Sequence, residues 1–390
     1  MNIGRTPGER AVNGRVALYG HDTMGLGHLR RNLALSAALR AAGAREALVL
    51  TGAREVGRFP LPPGVDVLVL PGIAKRDDGT YRSRRLTAPV DDVVALRRDV
   101  LRSALTAFAP DLMVVDKVAR GFRGELEPAL RALRDRGTRL VLGLRDVLDA
   151  PAAATAEWRR LRTTEALREH YDEVWVYGDR RVSDLAADCA VPPSVRRLLT
   201  YTGFLAAGRP TADVPPPEGP FTLCLLGGGQ DGAALAQAFA RAPRPTGTTP
   251  VLVTGPHLPS TVADTLRAAH PGLCVVDFCE DPAAWARRAA AVVCMGGYNT
   301  VAELLATDVP VLVVPRVAPR AEQLVRARRL SERGAVDDLH PADLTPALLG
   351  AWLSEAARRP RTPRTGIDLD GMTRVGRLAR AHLEEARRAG

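Results

Sequence analysis

Residues 294–315 read CMGGYNTVAELLATDVPVLVVP: an apolar run, a Gly-Gly turn, a segment of helical period and a second apolar run. Short apolar runs flanking a helical segment are the signature of a βαβ unit in a parallel sheet. Gly296 and Gly297 expose backbone amides where the helix starts, and a helix N-terminus carries partial positive charge, so the turn suits a diphosphate. Asn299 or Thr300 is placed to cap that helix. Glu303, about one turn in, is placed to accept both hydroxyls of a ribose; the alternative is a first-turn glutamate favoured by the helix dipole. After the second run comes VPRVAPRAEQ (314–323), where Arg316 and Arg320 are in reach of phosphate and Glu322 with Gln323 in reach of sugar hydroxyls.

The same grammar occurs twice more. LLGGGQDG (225–232) follows an apolar run and opens a helical segment, and Gly227, Gly228 and Gly229 offer free amides to phosphate oxygens. It lacks the Lys-Ser/Thr pair of an ATP-hydrolysing phosphate loop. YGHDTMGLGHLRR (19–31) also joins strand to helix, with Gly25 and Gly27 allowing a tight turn and close approach of a ligand. It lacks the third glycine of a dinucleotide fingerprint, and no acidic residue closes the next strand near Leu50, which argues against an oxidoreductase. What it carries instead is His28 at the helix start, pointing into a cleft where a near-neutral imidazole can act as general base toward a hydroxyl. The competing reading is a capping or loop histidine. His21 is a second candidate, with a structural role expected.

Around these turns, apolar runs and Ala/Leu/Arg segments of helical period alternate along the whole chain. Strands are expected at Val16–Gly20, Ala47–Leu50, Val65–Leu70, Leu112–Asp116, Leu140–Leu144 and Val174–Tyr177, then at Leu223–Leu226, Val251–Val253, Cys274–Phe278, Ala291–Cys294 and Val311–Val314. One long helix is expected over Ala156–His170. The Pro-rich segment AAGRPTADVPPPEG (206–219) marks a linker. The expected organisation is a Rossmann-like domain over 1–205, a second over 220–370, and a C-terminal helix over 371–390 that packs back on the first domain. Two such domains hold a ligand in the cleft at the carboxyl ends of both sheets. VDK and LRD close two of the strands. Asp116 either orients His28 as in a His-carboxylate dyad or is a residue that merely follows a strand. Asp22, Arg145 and Asp146 are expected to line the acceptor side, as are the arginines between Arg76 and Arg98.

The composition narrows the classes. Of 390 residues 46% are hydrophobic and 25% charged, a globular balance. No apolar run approaches the ~20 residues of a membrane-spanning helix, and the N-terminus lacks an apolar signal core, so a cytoplasmic protein is expected. Five scattered cysteines show no metal-ligand spacing, and no metal site is expected. The formal net charge is +10; residues 1–210 hold 34 basic and 25 acidic residues, leaving 20 and 19 for the rest. The excess is almost wholly arginine, which reads either as GC-rich coding or as an anionic partner for the first half. Only Tyr81 interrupts the Arg76–Arg98 cluster as an aromatic, so nucleic acid is not the expected partner.

Taken together, MGGYNTVAELLATDVPVLVVPRVAPRAEQ (295–323) resembles the donor-binding segment of inverting glycosyltransferases of the GT-B fold. The likeness is to glycosyltransferase family 28, the group containing the peptidoglycan-lipid N-acetylglucosaminyltransferase. The first turn reads TMGLGH rather than a denser glycine run, and with VDK and LRD the N-terminal half is similar to a little-characterised bacterial branch of glycosyltransferases. The resemblance implies two Rossmann-like parallel-sheet domains facing across a cleft. It implies His28 as catalytic base; Gly227 to Gly229, Gly296, Gly297, Asn299 and Thr300 on the diphosphate; Glu303 on the ribose; and Glu322 with Gln323 on the donor sugar. It implies metal-independent transfer, with no cofactor beyond a UDP- or dTDP-sugar co-substrate; it does not carry the acceptor over, and the charge excess of the first half points instead to a small-molecule or natural-product acceptor that is anionic or membrane-borne. A nucleotide-sugar 2-epimerase or hydrolase of the same fold is the alternative, and a non-catalytic binder a further one.

Overall fold

The computed structural model describes residues 14–22, 26–76, 80–206, 208, 215 and 217–389. Gly25 and most of the expected linker lie outside the described residues.

In the first domain, β1 (Arg15–Gly20), β2 (Glu46–Thr51) and β3 (Val65–Val69) are followed by a hairpin, β4 (Ile73–Lys75) with β5 (Tyr81–Ser83), and then by β6 (Leu112–Asp116), β7 (Arg139–Arg145), β8 (Glu173–Tyr177) and β9 (Leu199–Tyr201). The sheet order is β3-β2-β1-β6-β7-β8-β9, parallel throughout. The second domain repeats the design with β10 (Phe221–Leu225), β11 (Thr249–Val253), β12 (Cys274–Val276), β13 (Ala291–Cys294), β14 (Val311–Val313) and β15 (Asp337–Asp338), in the parallel order β12-β11-β10-β13-β14-β15. Helices cover both faces, so the central strands are buried on both sides. This is why β6 and β13 are apolar at nearly every position rather than alternating.

Three local expectations need correction. The segment Ala156–His170 is two helices, Pro151–Arg160 and Thr163–His170, because Arg162 turns left-handed at φ 49° and ends the first. The hairpin and β9 were not expected, being three-residue strands too short to impose a period. The helix after the third glycine turn starts at Tyr298 with Gly297 at its cap position; neither Asn299 nor Thr300 caps it.

The helix Gly371–Ala389 returns to the first domain. It lies along the helix Gly27–Ala41, where Gly376 admits Ala42 closely, Arg380 donates to the Ala42 carbonyl, and His382 meets Glu173 at 2.8 Å. The chain thus crosses between domains twice, side by side: Leu205 bridges Asp370, and the Gly371 amide donates to the Phe204 carbonyl.

The domains are joined by arginines. Arg326, wholly buried on the helix Glu322–Ser331, grips Asp146 at the end of β7 through Nε and Nη2 at 2.7 to 3.0 Å and donates Nη1 to the Gly296 carbonyl. On the same helix, Arg329 pairs with Asp188 at 2.6 Å. A buried ion pair that loses one partner leaves an uncompensated charge, at a cost of about 3–5 kcal/mol. Arg326→Ala is therefore expected to lower stability by that order in urea titration, whereas truncating exposed Arg131 changes it by under about 1 kcal/mol. Equal small losses for both would remove the pair from the seam's structural role.

Candidate active site

In an open parallel sheet, ligands bind where the strand order reverses, outside the carboxyl ends. In the first domain that point lies between β1 and β6, and in the second between β10 and β13. The two face each other. From one side come Gly27, Arg30 and Arg31, on the helix that follows β1; from the other come Gly227, Gly228, Gly297 and Thr300. They enclose a cavity of about 220 Å³ that also meets Arg145, Glu322 and Gln323, with an adjoining recess of about 170 Å³ reaching Gly229 and Asp231.

His28 stands one residue beyond Gly27, its side chain 15% exposed, with Nδ1 2.9 Å from Asp116 Oδ2. Strand pairing brings these groups together: β1 and β6 are neighbours, so the residues leaving their carboxyl ends meet. The same carboxylate is held by Arg31, with Nη2 2.8 Å from Oδ1 and Nε 3.0 Å from Oδ2. Burial raises the Asp116 carboxyl, but the Arg31 and His28 charges overcome this and hold it well below the usual range. An ionised carboxylate at Nδ1 fixes the ring and leaves Nε2 as the other nitrogen. Arg31 Nη2 also lies 3.2 Å from His28 Nδ1. Sequence reading missed Arg31, because an arginine in a basic helix carries no sign of its partner 85 residues away.

His21 is half-buried beside this pair, its ring 4.6 Å from that of His28. Burial and the nearby His28 and Lys117 charges push its pKa well down, so it stays neutral. Asp22 is not on an open acceptor wall as expected: it is buried, accepts a hydrogen bond from the Thr51 hydroxyl, and has its carboxyl raised by burial. Asp146 is likewise withdrawn, into the Arg326 pair. Of the Arg76–Arg98 group, Arg97 is fully buried in a two-point pair with Glu125, each bond 2.6 Å, and serves the core.

On the opposite wall, Gly229 has φ +88°, and a Cβ there would lie 2.3 Å from the Thr254 carbonyl oxygen, so only glycine lets the loop close. No side chain caps the helix Tyr298–Leu305, which leaves its start to the cavity. Gly296 turns the other way, its carbonyl taken by Arg326. Asn299 reaches across to donate to the Gly27 carbonyl at 2.8 Å. Glu303 is held by Arg30 of the first domain at 2.7 Å. Arg316 meets Glu322 at 2.6 Å and Asp231 at 3.0 Å, and the Gln323 amide oxygen accepts from its backbone N–H.

Arg320, expected on the phosphate, is turned away from this cavity: both terminal nitrogens bind Glu157 of the first domain, at 2.9 and 2.7 Å. Its role is at the seam, because a planar guanidinium matches a carboxylate two-pronged. The His/carboxylate group Glu127, Glu169 and His170, with metal-like spacing, sits on the helices of the first domain rather than at either turn and is engaged by Arg120 and Arg131.

Residues 222–367 match the glycosyltransferase family 28 C-terminal domain. That stretch makes up most of the second domain, which is similar to the family's C-terminal domain. Over 99 residues, a quarter of this chain and 28% of the relative, it is 34% identical to the UDP-N-acetylglucosamine–N-acetylmuramyl-(pentapeptide) pyrophosphoryl-undecaprenol N-acetylglucosamine transferase of Corynebacterium efficiens. The chain spans less than half the length of the curated relatives it matches. The fold as a whole is that of GT-B glycosyltransferases. The glycotransferase of kitacinnamycin superposes with a TM-score of 0.57 at 19% identity, covering 97% of this chain and 98% of its own. MurG of Acinetobacter baumannii gives 0.55 at 17% identity, covering 94% and 99%. The second domain, similar to that family's, thus contributes Gly227, Gly228 and Gly297 to the cavity, and the first domain contributes the histidine and its carboxylate.

Lys117 sits behind this cleft at φ +70°. Burial, with the Arg320 charge adding, holds its ammonium down to about 8 against an ordinary 10.5. A lysine depressed on folding binds fewer protons folded than unfolded, so it costs stability below the folded pKa, and the cost fades as pH rises toward the unfolded one. Lys117→Gln is expected to melt higher than the parent at pH 7, with the difference closing between about pH 8 and pH 10.5. A pH-independent difference in thermal melts would contradict this account.

Proposed function

We propose that the protein is an inverting, metal-independent glycosyltransferase that moves a sugar from a UDP- or dTDP-sugar to a hydroxyl of a small-molecule or natural-product acceptor. What carries this reading is the His28–Asp116 pair next to a cavity whose far wall is the family 28 glycine cradle.

The step is a single displacement. The acceptor oxygen attacks the anomeric carbon while its proton passes to His28 Nε2, and the bond from that carbon to the diphosphate oxygen breaks. Asp116, ionised and hydrogen-bonded at Nδ1, holds the ring and stabilises the imidazolium that forms. Charge developing on the leaving diphosphate meets the amides at Gly227, Gly228 and the start of the helix Tyr298–Leu305, with Arg316 beside them. Glu303 accepts the ribose hydroxyls, and Arg30, which holds the same carboxylate, brings a cation to the donor. Glu322 and Gln323 take the transferred sugar. The acceptor is anionic or membrane-borne, with the enzyme on the cytoplasmic side as a peripheral protein; among the described residues no helix is long and apolar enough to cross a membrane.

Loss of a general base costs roughly 10²–10⁴ in rate. His28→Ala is therefore expected to lower turnover of the UDP- or dTDP-sugar by that factor with nucleoside diphosphate affinity within about twofold; retained turnover would mean the base is elsewhere. Glu303→Gln loses hydrogen bonds to a charged group, worth about 1.5–3 kcal/mol, and is expected to weaken nucleoside diphosphate binding in calorimetry accordingly. Incubation of the donor without acceptor separates the second reading: rapid stoichiometric release of free sugar, or of a 2-epimer, would identify a hydrolase or epimerase.

A further inference from the structure

Nearly every cation around the cleft is already matched. Arg31 is taken by Asp116, Arg326 by Asp146, Arg30 by Glu303, Arg316 by Glu322 and Asp231, and Arg320 by Glu157. Two are not, and they stand at the ends of adjacent strands. Lys117 leaves β6, tied to β7 by its backbone N–H on the Gly143 carbonyl at 2.8 Å, and its ammonium has no hydrogen bond or ion pair among the described residues. Arg145 ends β7 and lines the cavity; its buried Nε has no partner among the described residues, and its carboxylate contact is Glu322 at 4.0 Å, an oxygen Arg316 already holds at 2.6 Å.

A buried cation is costly unless paired and hydrogen-bonded. The acids facing these two, Glu157 and Glu322, are claimed by Arg320 and Arg316, while Arg320 and Arg326 add repulsion. The consequence is visible in both groups: burial first, with these neighbours, holds Lys117 down to about 8 and Arg145 down to about 10. Arg145 shares its cavity with Glu322 and Gln323 and with Gly227, Gly228 and Gly297. Arg145 therefore stands beside Glu322, a residue assigned to the sugar, with Lys117 behind it at the neighbouring strand end.

We propose that Arg145, backed by the charge of Lys117, forms an anion subsite beside Glu322 in the cleft, taking a carboxylate or phosphate of the substrate other than the donor's own diphosphate. The proposal rests on the glycosyltransferase reading. The anion arrives either on the donor, as the carboxylate of a uronic acid sugar, or on the acceptor.

Calorimetry on the full chain separates these. UDP and dTDP are titrated first; binding of neither overturns the glycosyltransferase reading and the subsite with it. The glucose and glucuronate derivatives of the nucleotide that binds form the donor arm, and glycerol 3-phosphate against glycerol, titrated into the nucleoside diphosphate complex, forms the acceptor arm. The expected result is a preference of about tenfold or more for the anionic partner in one arm, which identifies the source. That preference is lost in Arg145→Gln and in Lys117→Gln and partly kept in Arg145→Lys, with nucleoside diphosphate affinity within about twofold reporting that each variant is folded. No preference in either arm, or a preference that survives both glutamine variants, overturns the proposal.

Discussion

The ring of Tyr298 has two guanidinium groups 5.6 Å from its centre, Arg31 from the first domain and Arg326 from the second. Each is buried on a carboxylate at the carboxyl end of a first-domain strand, Asp116 closing β6 and Asp146 just after β7. The tyrosine hydroxyl accepts from the Leu205 amide, where the chain crosses between domains. The rest of the arrangement depends on this knot. It docks the start of the helix Tyr298–Leu305 against the first domain, and it holds the carboxylate that fixes His28. Removing charges from water is costly, so such pairs are retained only where geometry and hydrogen bonding are complete, as they are at Arg326. The same interactions that close the cleft therefore set the base.

The arginine excess of the chain acquires a different meaning in this light. A net charge of +10 suggests a basic surface, yet several arginines are internal. Arg31, Arg97 and Arg326 are among the largest fully buried side chains. Arginine suits this work because its planar fork satisfies both carboxylate oxygens at once, where a lysine would satisfy one. The glycine turns of the second domain, by contrast, offer the cavity backbone amides. Charge therefore serves the seam between the domains more than these turns.

The turn chemistry and the strand runs were readable because they are local. A glycine that must adopt positive φ, as Gly229 does, and an apolar run buried on both faces, as in β6, each declare themselves within a few residues. Asp116 could be read only as one of two possibilities until β6 was known to lie beside β1. Asp146, Arg320 and Arg31 were beyond reach: their partners are 180, 163 and 85 residues distant, and no local signal separates a buried salt bridge from an exposed one.

The sequence by itself determined two parallel α/β sheets, the three glycine turns at strand ends and a helix-borne histidine, because periodicity and backbone freedom are properties of neighbouring residues. Only the tertiary structure decided which charges are paired, since that follows from which strand ends are brought together and which groups are removed from water. Thus Arg320 and Asp146 became parts of the seam, Arg31 joined the His28–Asp116 pair, and Arg145 was left facing the cleft with Lys117 behind it.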